Sequence, residues 1–592
     1  MSISLAVYFL EQTPETPDLD LLFVLDDLDL DTRRVSHLLT AVKKQLPSET
    51  ATTLRLLEAV APFLVANNHD SIRQRAIAWA QNNSTAVLPT TLLSEACKMG
   101  VRNPKHIFIV VEEAYRQDLV KIAQFSVSEG QEASVLERLR QLRTFPKSPP
   151  PSTAVHDPSA IKLAHLGTDK NTDTAIRAGR PANNRGPSVS LFSEPLAVLS
   201  EQISTPDSLP RLSHSFLVDV EKFMRLATQF YATEDARIAA YTPFLNTLLG
   251  EGQWESKANR AKPDARWKAR VIAEMKNEPG LSGDPRLQAE VSYRYVISSA
   301  EDGQTYGLSS NCPSVLLGIS TQLSVSIAVM TDCVYVDNLF LGDLVPSADL
   351  DASVIKIARV FQAVKMAAIT LQQTYQPLPS PVPFTPLVFP HPVTRSKQVL
   401  PKLDFIGKIS RSGRIVQPHF QDAATRPCAL YAATLPDGTK VAVKFTKRYG
   451  IDAHKLLAEL SFAPILHGVF QVQDGYLMVV MELVEGVMAW GNEAQISTGA
   501  VADLCKAVQV LHAQGLVHGD LRLPNIMLLA GQQPSIKILD FDWAGLNTVT
   551  SYPACISNDL DLWGPRVQRH GAMAKEDDEF LLDKFRQECN AG

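Results

Sequence analysis

Two short segments near the C-terminus hold three polar side chains at a fixed spacing. His518 opens the run His-Gly-Asp-Leu-Arg-Leu-Pro-Asn, and a second run, Leu-Asp-Phe-Asp, starts at Leu539. Phosphoryl transfer needs a carboxylate that accepts the proton of the attacking hydroxyl, together with an Asn and a second Asp that hold Mg²⁺ on the phosphates. The spacing of Asp520, Asn525 and Asp540 meets this need. It therefore predicts ATP-dependent chemistry, with Asp520 as the catalytic carboxylate and Asn525 and Asp540 as metal ligands.

The length and charge of the chain limit what else it is expected to do. Its 592 residues exceed what one core supports, and roughly 150 residues per domain predicts several domains. With 57 basic and 63 acidic residues, the net charge of −6 gives no overall basic character. Binding of nucleic acid would therefore need a local basic patch.

Cysteine usage and hydropathy bear on the compartment. The seven cysteines are scattered singly, and their odd number argues against a disulfide framework or a structural zinc site. The N-terminus lacks the basic region of a standard signal peptide, and the chain has no apolar run of about 18 residues. We expect a soluble intracellular protein of the cytoplasm or nucleus, without a membrane partner.

Composition shifts divide the chain into five parts. Residues 145–187 are rich in Pro, Ser and Asn and predict a flexible linker, while seven prolines between Pro377 and Pro392 predict a stiffer one. The fold class expected is a multidomain α+β protein. Its parts are an N-terminal region at 1–144, the linker at 145–187, a central α/β domain at 188–376, the linker at 377–400 and a bilobal C-terminal domain at 401–592.

The N-terminal region opens with two strand-like runs, at 4–10 and 21–25. Apolar residues then repeat at helical spacing from Val35 to Leu46. This order fits a mostly helical region whose opening is either a β-grasp unit or a short hairpin.

The run from Lys440 to Phe445 alternates as a strand over an ATP cleft would. Its valines and Phe445 share one face, and Ala442 and Lys444 share the other. We expect Lys444 to grip the phosphates. Gly407 and Gly413 are candidates for a loop that covers them.

Three further cofactor-binding positions follow from the segments beside this strand. A predicted helix at 451–460 would supply the acidic partner of Lys444, for which Glu459 is the first candidate and Asp452 the alternative. An apolar strand ends at Glu482, where the backbone of Glu482 and Val484 would meet adenine.

The same elements occur in protein kinases in the same order. The segment from Phe405 to Phe585 resembles the fungal-type protein kinases in the motifs Val-Val-Met-Glu482, His518-Gly-Asp-Leu-Arg-x-Pro-Asn-Ile-Met and Asp540-Phe-Asp-Trp-Ala-Gly, and in Tyr449-Gly and His454. The resemblance implies an ATP- and Mg²⁺-dependent protein kinase of the Ser/Thr type with a protein substrate. Arg522, two residues after Asp520, is expected to reach the transferring phosphate.

Two departures from ordinary protein kinases leave alternatives open. Gly519 replaces the Arg of the HRD motif and no Ala-Pro-Glu triplet follows Asp540, so regulation by phosphorylation of the activation loop is not expected. Asp542 replaces the Gly of DFG, as in kinases of aminoglycosides and choline. A small-molecule phosphotransferase therefore stays an alternative, as does a nucleotide-binding or nucleic-acid-binding pseudoenzyme. Asp577 or Asp578 is expected to anchor the catalytic loop.

A second candidate site lies in the central region. Asp264 follows a proline, and Glu274 and Lys276 share one face of a predicted strand, which gives the pattern PD-x₉-ExK. Asp264 and Glu274 would hold Mg²⁺ or Mn²⁺, and Lys276 would polarise the water that attacks a phosphodiester. Glu234, on an upstream helix, is a candidate further ligand. The competing interpretation is an exposed strand with alternating charges.

The surroundings of this pattern support an interaction with DNA. Residues 257–276 carry seven basic and two acidic residues, which favours a phosphate backbone. The ordered set, with Gln288 and Tyr293 downstream, resembles the restriction-endonuclease-like domain that precedes a fungal-type kinase domain in Crinkler-type effector proteins. That resemblance implies a nuclease-like domain with DNA as a partner, and non-standard secretion into a host cell. Oligomeric state does not follow from the sequence.

Overall fold

The structure is a computed structural model in which the chain forms two compact units. One contains Met1–Arg143 with Leu378–Phe384, and the other contains Thr144–Pro377 with Thr385–Gly592. The structure describes four N-terminal strands (3–10, 22–28, 54–57, 107–112), single positions between 151 and 165, and residues 176–180, 184–206, 209–255, 262–268, 270–278, 283–298, 310–375, 387–410, 413–416, 429–531, 533–554, 556 and 562–591.

The first unit contains a four-stranded mixed sheet. Its strands are β1 (Ile3–Leu10), β2 (Leu22–Leu28), β3 (Leu54–Leu57) and β4 (Ile107–Glu112), in the order β2-β1-β4-β3. The two predicted strands correspond to β1 and β2, whereas β3 and β4 were not predicted, because short apolar runs have no distinctive period. Since β1 and β4 are parallel, the sheet is more than a hairpin. The predicted helix at Val35–Leu46 lies outside the described residues.

The central region is built on a seven-stranded mixed sheet. In order across the sheet its strands are β5-β11-β10-β9-β8-β7-β6, and β8 and β9 at its centre are parallel. Their bounds are β5 Ile176–Arg177, β6 Gln253–Trp254, β7 Ala265–Trp267, β8 Val271–Met275, β9 Ser314–Ile319, β10 Gln322–Met330 and β11 Val334–Asp343. The short β5 comes from the predicted flexible linker, so part of that segment belongs to the sheet.

Five helices among the described residues accompany this sheet. They are α1 Glu194–Ser204, α2 His214–Ala227, α3 Glu234–Leu249, α4 Pro285–Ile297 and α5 Leu350–Thr374. Side-chain caps fix several of their starts: Thr233 accepts from the amide of Ala236 in α3, and Asp284 accepts from the amide of Arg286 in α4. Every residue of β8 and β9 is buried, so both faces of the sheet centre are covered.

The C-terminal region has two lobes. The first lobe is a six-stranded sheet with the helix α6 (Ile451–Glu459), in the strand order β13-β12-β14-β15-β17-β16. Its strands are β12 Asp404–Ile409, β13 Ile415–Val416, β14 Leu430–Thr434, β15 Lys440–Thr446, β16 Leu466–Gln471 and β17 Leu477–Glu482. The second lobe contains α7 Thr498–Ala513, α8 Lys575–Ala591 and the short strands β18 Val487–Met488, β19 Leu516–Val517, β20 Ile526–Leu528, β21 Ile536–Ile538 and β22 Gly545–Leu546.

The core of the second lobe forms around α7. Val501, Leu504, Val508 and Leu511 recur at helical spacing in the sequence, which predicts an inward stripe. Leu504, Val508 and Leu511 are buried, and Val501 is partly buried. The helix ends next to Gly515, whose φ of +68° is the left-handed conformation that stops a helix before the catalytic loop.

The central and C-terminal regions pack within one unit. Buried Lys408 of β12 lies 2.8 Å from Asp332 and 2.9 Å from the hydroxyl of Tyr335. Residues 387–400 of the predicted proline-rich linker also contact both regions, since the amide of His391 donates to Leu191 and the amide of Val393 donates to the side chain of Gln473. The chain is thus a mixed α/β structure, and the predicted domain boundaries stay a prediction.

Candidate active site

A cavity of about 440 Å³ lies between the two lobes of the C-terminal region. Strand β15 contributes Ala442 and Lys444, while Val441, Val443 and Phe445 are buried on the other face of the strand. The predicted alternation of this strand is confirmed. Six further candidate site residues line the cavity: Gly413, Glu482, Val484, Arg522, Asn525 and Asp540.

Two carboxylates hold Lys444 in the cavity. Its Nζ lies 2.7 Å from Oδ1 of Asp540 and 2.8 Å from Oδ1 of Asp542. Burial alone would lower the pKa of Lys444, but the two carboxylates outweigh burial and raise it. Lys444 is therefore a fixed positive charge on the wall of the cavity.

The predicted acidic partner on α6 does not pair with Lys444. Glu459 and Asp452 are exposed, whereas Ala453, His454 and Leu457 are buried. The physical reason is the phase of the helix, because at 100° per residue Glu459 lies on the side opposite to Ala453 and Leu457. Among the described contacts, the partners of Lys444 come from the segment after Leu539.

The catalytic loop is held by buried hydrogen bonds. The side-chain nitrogen Nδ2 of Asn525 donates to Oδ2 and to the backbone oxygen of Asp520, both at 2.9 Å. The ring of His518 bonds to the carbonyl of Leu539 at 3.1 Å, and the amide of Leu539 donates to Asn525 at 2.8 Å. The loop of Asp520 and the loop of Asp540 are thus joined directly.

Asp578 anchors this loop from α8. Its carboxylate accepts from the amides of His518 and Gly519, each at 2.8 Å, and it is fully buried. Asp577 instead accepts from the amide of Ala574. Of the two predicted anchors, Asp578 is therefore the one that bonds to the loop.

Gly519 is required by the shape of the loop. Its φ is +78°, and a Cβ there would lie 2.5 Å from Sδ of Met573. A side chain such as the Arg of HRD cannot be accommodated in this conformation without moving Met573.

Arg522 is bound to the carboxylate of Asp520. Its Nη2 donates to Oδ2 of Asp520 at 2.8 Å, its Nε bonds to Oδ1, and its guanidinium lies 4.7 Å from the ring centroid of Trp563. The sequence predicted that Arg522 reaches the phosphate, and in this structure it orients Asp520 while lining the cavity. Trp563 was not identified from the sequence, since a single Trp far along the chain carries no local signal.

The predicted adenine-binding edge lies on the cavity wall. Lys537 of β21 binds the carboxylate of Glu482, which also accepts from the amide of Ile465 at 3.0 Å. Gly413 lines the cavity at φ +77°, whereas Gly407 allows close approach of β13, because a Cβ there would lie 2.7 Å from the carbonyl oxygen of Val416.

An aromatic cluster packs under the loop that carries Asp540. The ring of His454 stacks on Phe541 at 4.5 Å and 4°, and its Nδ1 bonds to the hydroxyl of Tyr449 at 2.7 Å. Burial, with the nearby charge of other basic groups, lowers the pKa of His454 to about 4, so the ring is neutral. Nε2 of His454 lies 2.8 Å from the carbonyl oxygen of Pro464 and must donate to it, so the hydroxyl of Tyr449 donates to Nδ1. The cluster fixes α6 against Phe541.

The structure also brings the central candidate residues together. Glu274 of β8 is fully buried and accepts from Gln288 of α4 at 2.7 Å and from the hydroxyl of Ser292. Lys276 bonds to both carboxylate oxygens of Glu234, at 2.9 and 3.1 Å. Because β8 is buried throughout, the interpretation as an exposed charged strand is wrong.

Burial shifts the pKa of two acids of this central cluster, Asp264 and Glu274, upwards. Burial raises the pKa of Asp264 to about 7, even though its carboxylate accepts from the amide of Met275 at 2.6 Å. Burial and the charge of Asp264 raise the pKa of Glu274 well above its usual value. Among the described residues, no group of three or more His, Cys, Asp or Glu is arranged to hold a metal ion.

The basic stretch around the cluster is largely engaged within the fold. Arg266 is buried, Lys262 pairs with Glu255 at 2.6 Å, and Arg270 donates to the carbonyl of Ala368 at 3.0 Å. The described part of the stretch is therefore not a continuous positive face. Across all the residues that the structure describes, no helix has the length and apolar character needed to cross a membrane.

Comparison with known proteins finds short similarities to kinases. A dual serine/threonine and tyrosine protein kinase of Gallus gallus is 28% identical over 123 residues, 19% of this chain and 13% of the relative. Serine/threonine-protein kinase Pkn1 of Myxococcus xanthus is 38% identical over 76 residues, 12% of this chain and 11% of the relative. No protein-family model matches.

Among solved structures, the kinase PK-1 of Cydia pomonella granulovirus aligns with 32% of this chain and 69% of its own, at 16% identity and a TM-score of 0.25. The chain spans only 11% to 14% of the length of the curated relatives that it matches. The chain is thus weakly similar to protein kinases over about a fifth of its length or less.

Proposed function

We propose that the chain is an ATP- and Mg²⁺-dependent protein kinase of the Ser/Thr type, as its resemblance to fungal-type kinases implies. The supporting observation is the cavity that Lys444, Asn525 and Asp540 line together, with Asp520 hydrogen-bonded to Asn525. These are the residue types that bind the phosphates, hold the metal and accept the proton in phosphoryl transfer.

In the proposed reaction, Asp520 orients a substrate hydroxyl and accepts its proton. The hydroxyl oxygen attacks the γ-phosphorus of ATP, the bond from this phosphorus to the bridging oxygen breaks, and ADP leaves. Lys444 binds the phosphates of ATP, and Arg522 keeps the carboxylate of Asp520 in position through two hydrogen bonds. The fixed cations lower the cost of charge that develops on the phosphoryl group.

The residues present suit Mg²⁺. Nδ2 of Asn525 donates to Asp520, which leaves the side-chain oxygen Oδ1 of Asn525 as the ligand atom. Asp540 adds a carboxylate. Mg²⁺ prefers hard oxygen ligands and is usually held by one or two protein groups together with substrate phosphates. When bound, Mg²⁺ would neutralise charge on the phosphates.

A small-molecule phosphotransferase is the competing function within this class. Asp542 in place of Gly and the missing Ala-Pro-Glu triplet favour it. The test is transfer of labelled phosphate from ATP to mixed protein substrates, beside a panel of amino alcohols and sugars. Labelled protein supports the proposal, whereas labelling of small alcohols alone rejects the protein substrate.

A second candidate function is metal-dependent cleavage of DNA by the central region. The observation that favours it is the convergence of buried Asp264, Glu274 and Lys276 with Glu234 and Gln288, because burying several ionisable groups is costly and such clusters concentrate at functional sites. If the cluster is a nuclease site, the chain would be a Crinkler-type effector that combines a nuclease-like and a kinase-like region. The central region would then bind DNA, and the protein would act inside a cell.

A further inference from the structure

Lys444 of strand β15 does not pair with an acidic side chain of helix α6. Both of its carboxylate partners, Asp540 and Asp542, belong to the loop that follows β21. The acids on α6, Glu459 and Asp452, are exposed. The question is therefore which group holds Lys444 in place during the proposed reaction.

Asp540 has two tasks in the proposed function, because it contacts Lys444 and would also hold the metal. In the proposed function its carboxylate is a metal ligand, so its charge is directed to the cation. A lysine has a flexible four-carbon stem, so a second fixed carboxylate helps to keep its ammonium pointed at the phosphates. Within the described contacts of Lys444, Asp542 is the carboxylate that remains.

We propose that Asp542 is the positioning residue of Lys444 and takes the place of an acidic residue on α6. This inference rests on the proposed function, because it concerns the lysine that binds ATP. It explains why Asp stands where DFG has Gly: a Gly at this position would leave Lys444 with Asp540 alone. Asp542 is thus a part of the site that binds the phosphates of ATP, whichever hydroxyl is phosphorylated.

The packing of α6 agrees with this role for Asp542. The inward face of α6 presents Ala453, His454 and Leu457, and the stack of His454 on Phe541 fills the space next to the metal-binding loop. Phe541 lies between Asp540 and Asp542 in the chain, so the same stack fixes both carboxylates. Both carboxylate partners of Lys444 therefore belong to one loop, and movement of α6 is not required to bring an acid to Lys444.

The experiment uses the full chain with three single variants. Asp542→Asn keeps the size of the side chain and removes its charge, Asp542→Glu keeps the charge, and Glu459→Gln removes the exposed acid on α6. For each variant, kcat and the KM for ATP are measured with the substrate that the wild type phosphorylates. Thermal unfolding midpoints identify variants that do not fold.

We expect Asp542→Asn to lower kcat/KM for ATP by about 10- to 100-fold, because a misplaced lysine loses alignment with the phosphates. Asp542→Glu should recover part of this loss, and Glu459→Gln should stay within about twofold of wild type. Equal activity of Asp542→Asn and wild type, or a large loss in Glu459→Gln, would overturn the inference.

A double-variant cycle separates positioning from a structural role. If Asp542 acts through Lys444, adding Asp542→Asn to Lys444→Met should lower activity little beyond Lys444→Met alone. Losses that multiply would show that Asp542 acts on its own, and would reject the inference while the proposed function stands. A wild-type protein that transfers no phosphate from ATP would reject both.

Discussion

The cleft of the C-terminal region and the cluster of the central region use the same residue types in different ways. In the cleft, Lys444 and Asp540 line a cavity of about 440 Å³. In the cluster, Glu274 has no exposed surface, and both its oxygens are bonded by neighbours. The cleft can therefore accept a ligand in the shape that it has, whereas the cluster must first give up internal hydrogen bonds.

The protonation of the two sets of acids differs for a related reason. Burial would raise the pKa of Asp540, but Lys444 outweighs burial and lowers it. In the cluster, the lysine bonds to Glu234, and burial raises the pKa of Asp264 to about 7. Lys444 thus outweighs the effect of burial on the pKa of Asp540, whereas Lys276 lowers the pKa of Asp264 too little to offset burial.

The largest effect should come from the catalytic carboxylate of the cleft. We expect Asp520→Asn to lower phosphate transfer by about 10²- to 10⁴-fold, because the substrate hydroxyl loses the base that accepts its proton. Affinity for Mg²⁺-ATP, measured by calorimetry, should change little. Asp583→Asn, at an exposed acid of α8, is the matched control. Retained transfer in Asp520→Asn would contradict the assignment.

Cleavage of DNA by the central cluster would show that both regions, and not the cleft alone, carry an activity. If the second candidate function holds, the full chain cleaves DNA with Mg²⁺ or Mn²⁺ in the absence of ATP, and Glu274→Gln abolishes cleavage while DNA binding persists. Lys276→Ala should slow cleavage by about 10²-fold or more, through loss of a group that stabilises charge in the transition state.

Cleavage of plasmid DNA measures this effect, with Lys262→Ala as the control for loss of an exposed basic residue in the same stretch. Binding without cleavage by any metal would leave a DNA-binding region. Neither binding nor cleavage would leave the kinase as the supported activity.

Removing the carboxylate of Asp540 from the cleft should abolish the effect of Mg²⁺ on ATP binding. We expect Asp540→Ala to bind ATP equally with and without Mg²⁺, since the carboxylate that holds the cation is gone. Calorimetry at both conditions measures the difference. If Mg²⁺ strengthens ATP binding as much in Asp540→Ala as in wild type, the metal assignment of Asp540 is wrong.

A smaller effect concerns how stability depends on pH. The folded-state pKa of Asp264 is about 7, above the value of 3.8 for an unperturbed Asp, so the folded protein retains a proton that the unfolded chain releases. The stabilising contribution of this proton is complete at pH values below about 4 and is lost as the pH rises towards about 7. Asp264→Asn should remove this contribution to the loss of folding stability with rising pH.

Unfolding midpoints of wild type and Asp264→Asn at several pH values measure this effect. The midpoint of wild type should fall relative to that of the variant between about pH 4 and pH 7, and Mn²⁺ should reduce the difference if the cluster binds metal. A constant difference between the two proteins across this range would show that Asp264 is charged when folded.

The sequence alone determined the local features of this protein. The alternation around Lys444, the buried stripe of α7 and the spacing from Asp520 to Asn525 each depend on a few consecutive residues, and the structure has all three. Local patterns determine such features because the periods of strands and helices are fixed by backbone geometry.

Only the tertiary structure decided which groups meet across long distances in the chain. The pairing of Lys276 with Glu234 spans 42 residues, and that of Lys444 with Asp540 and Asp542 spans almost 100. Glu459 had a suitable residue type, but the orientation of α6 against Phe541 turned it to the solvent. Sequence spacing does not encode these partners, because packing of elements, rather than local backbone geometry, determines which charged groups are brought together and which remain exposed.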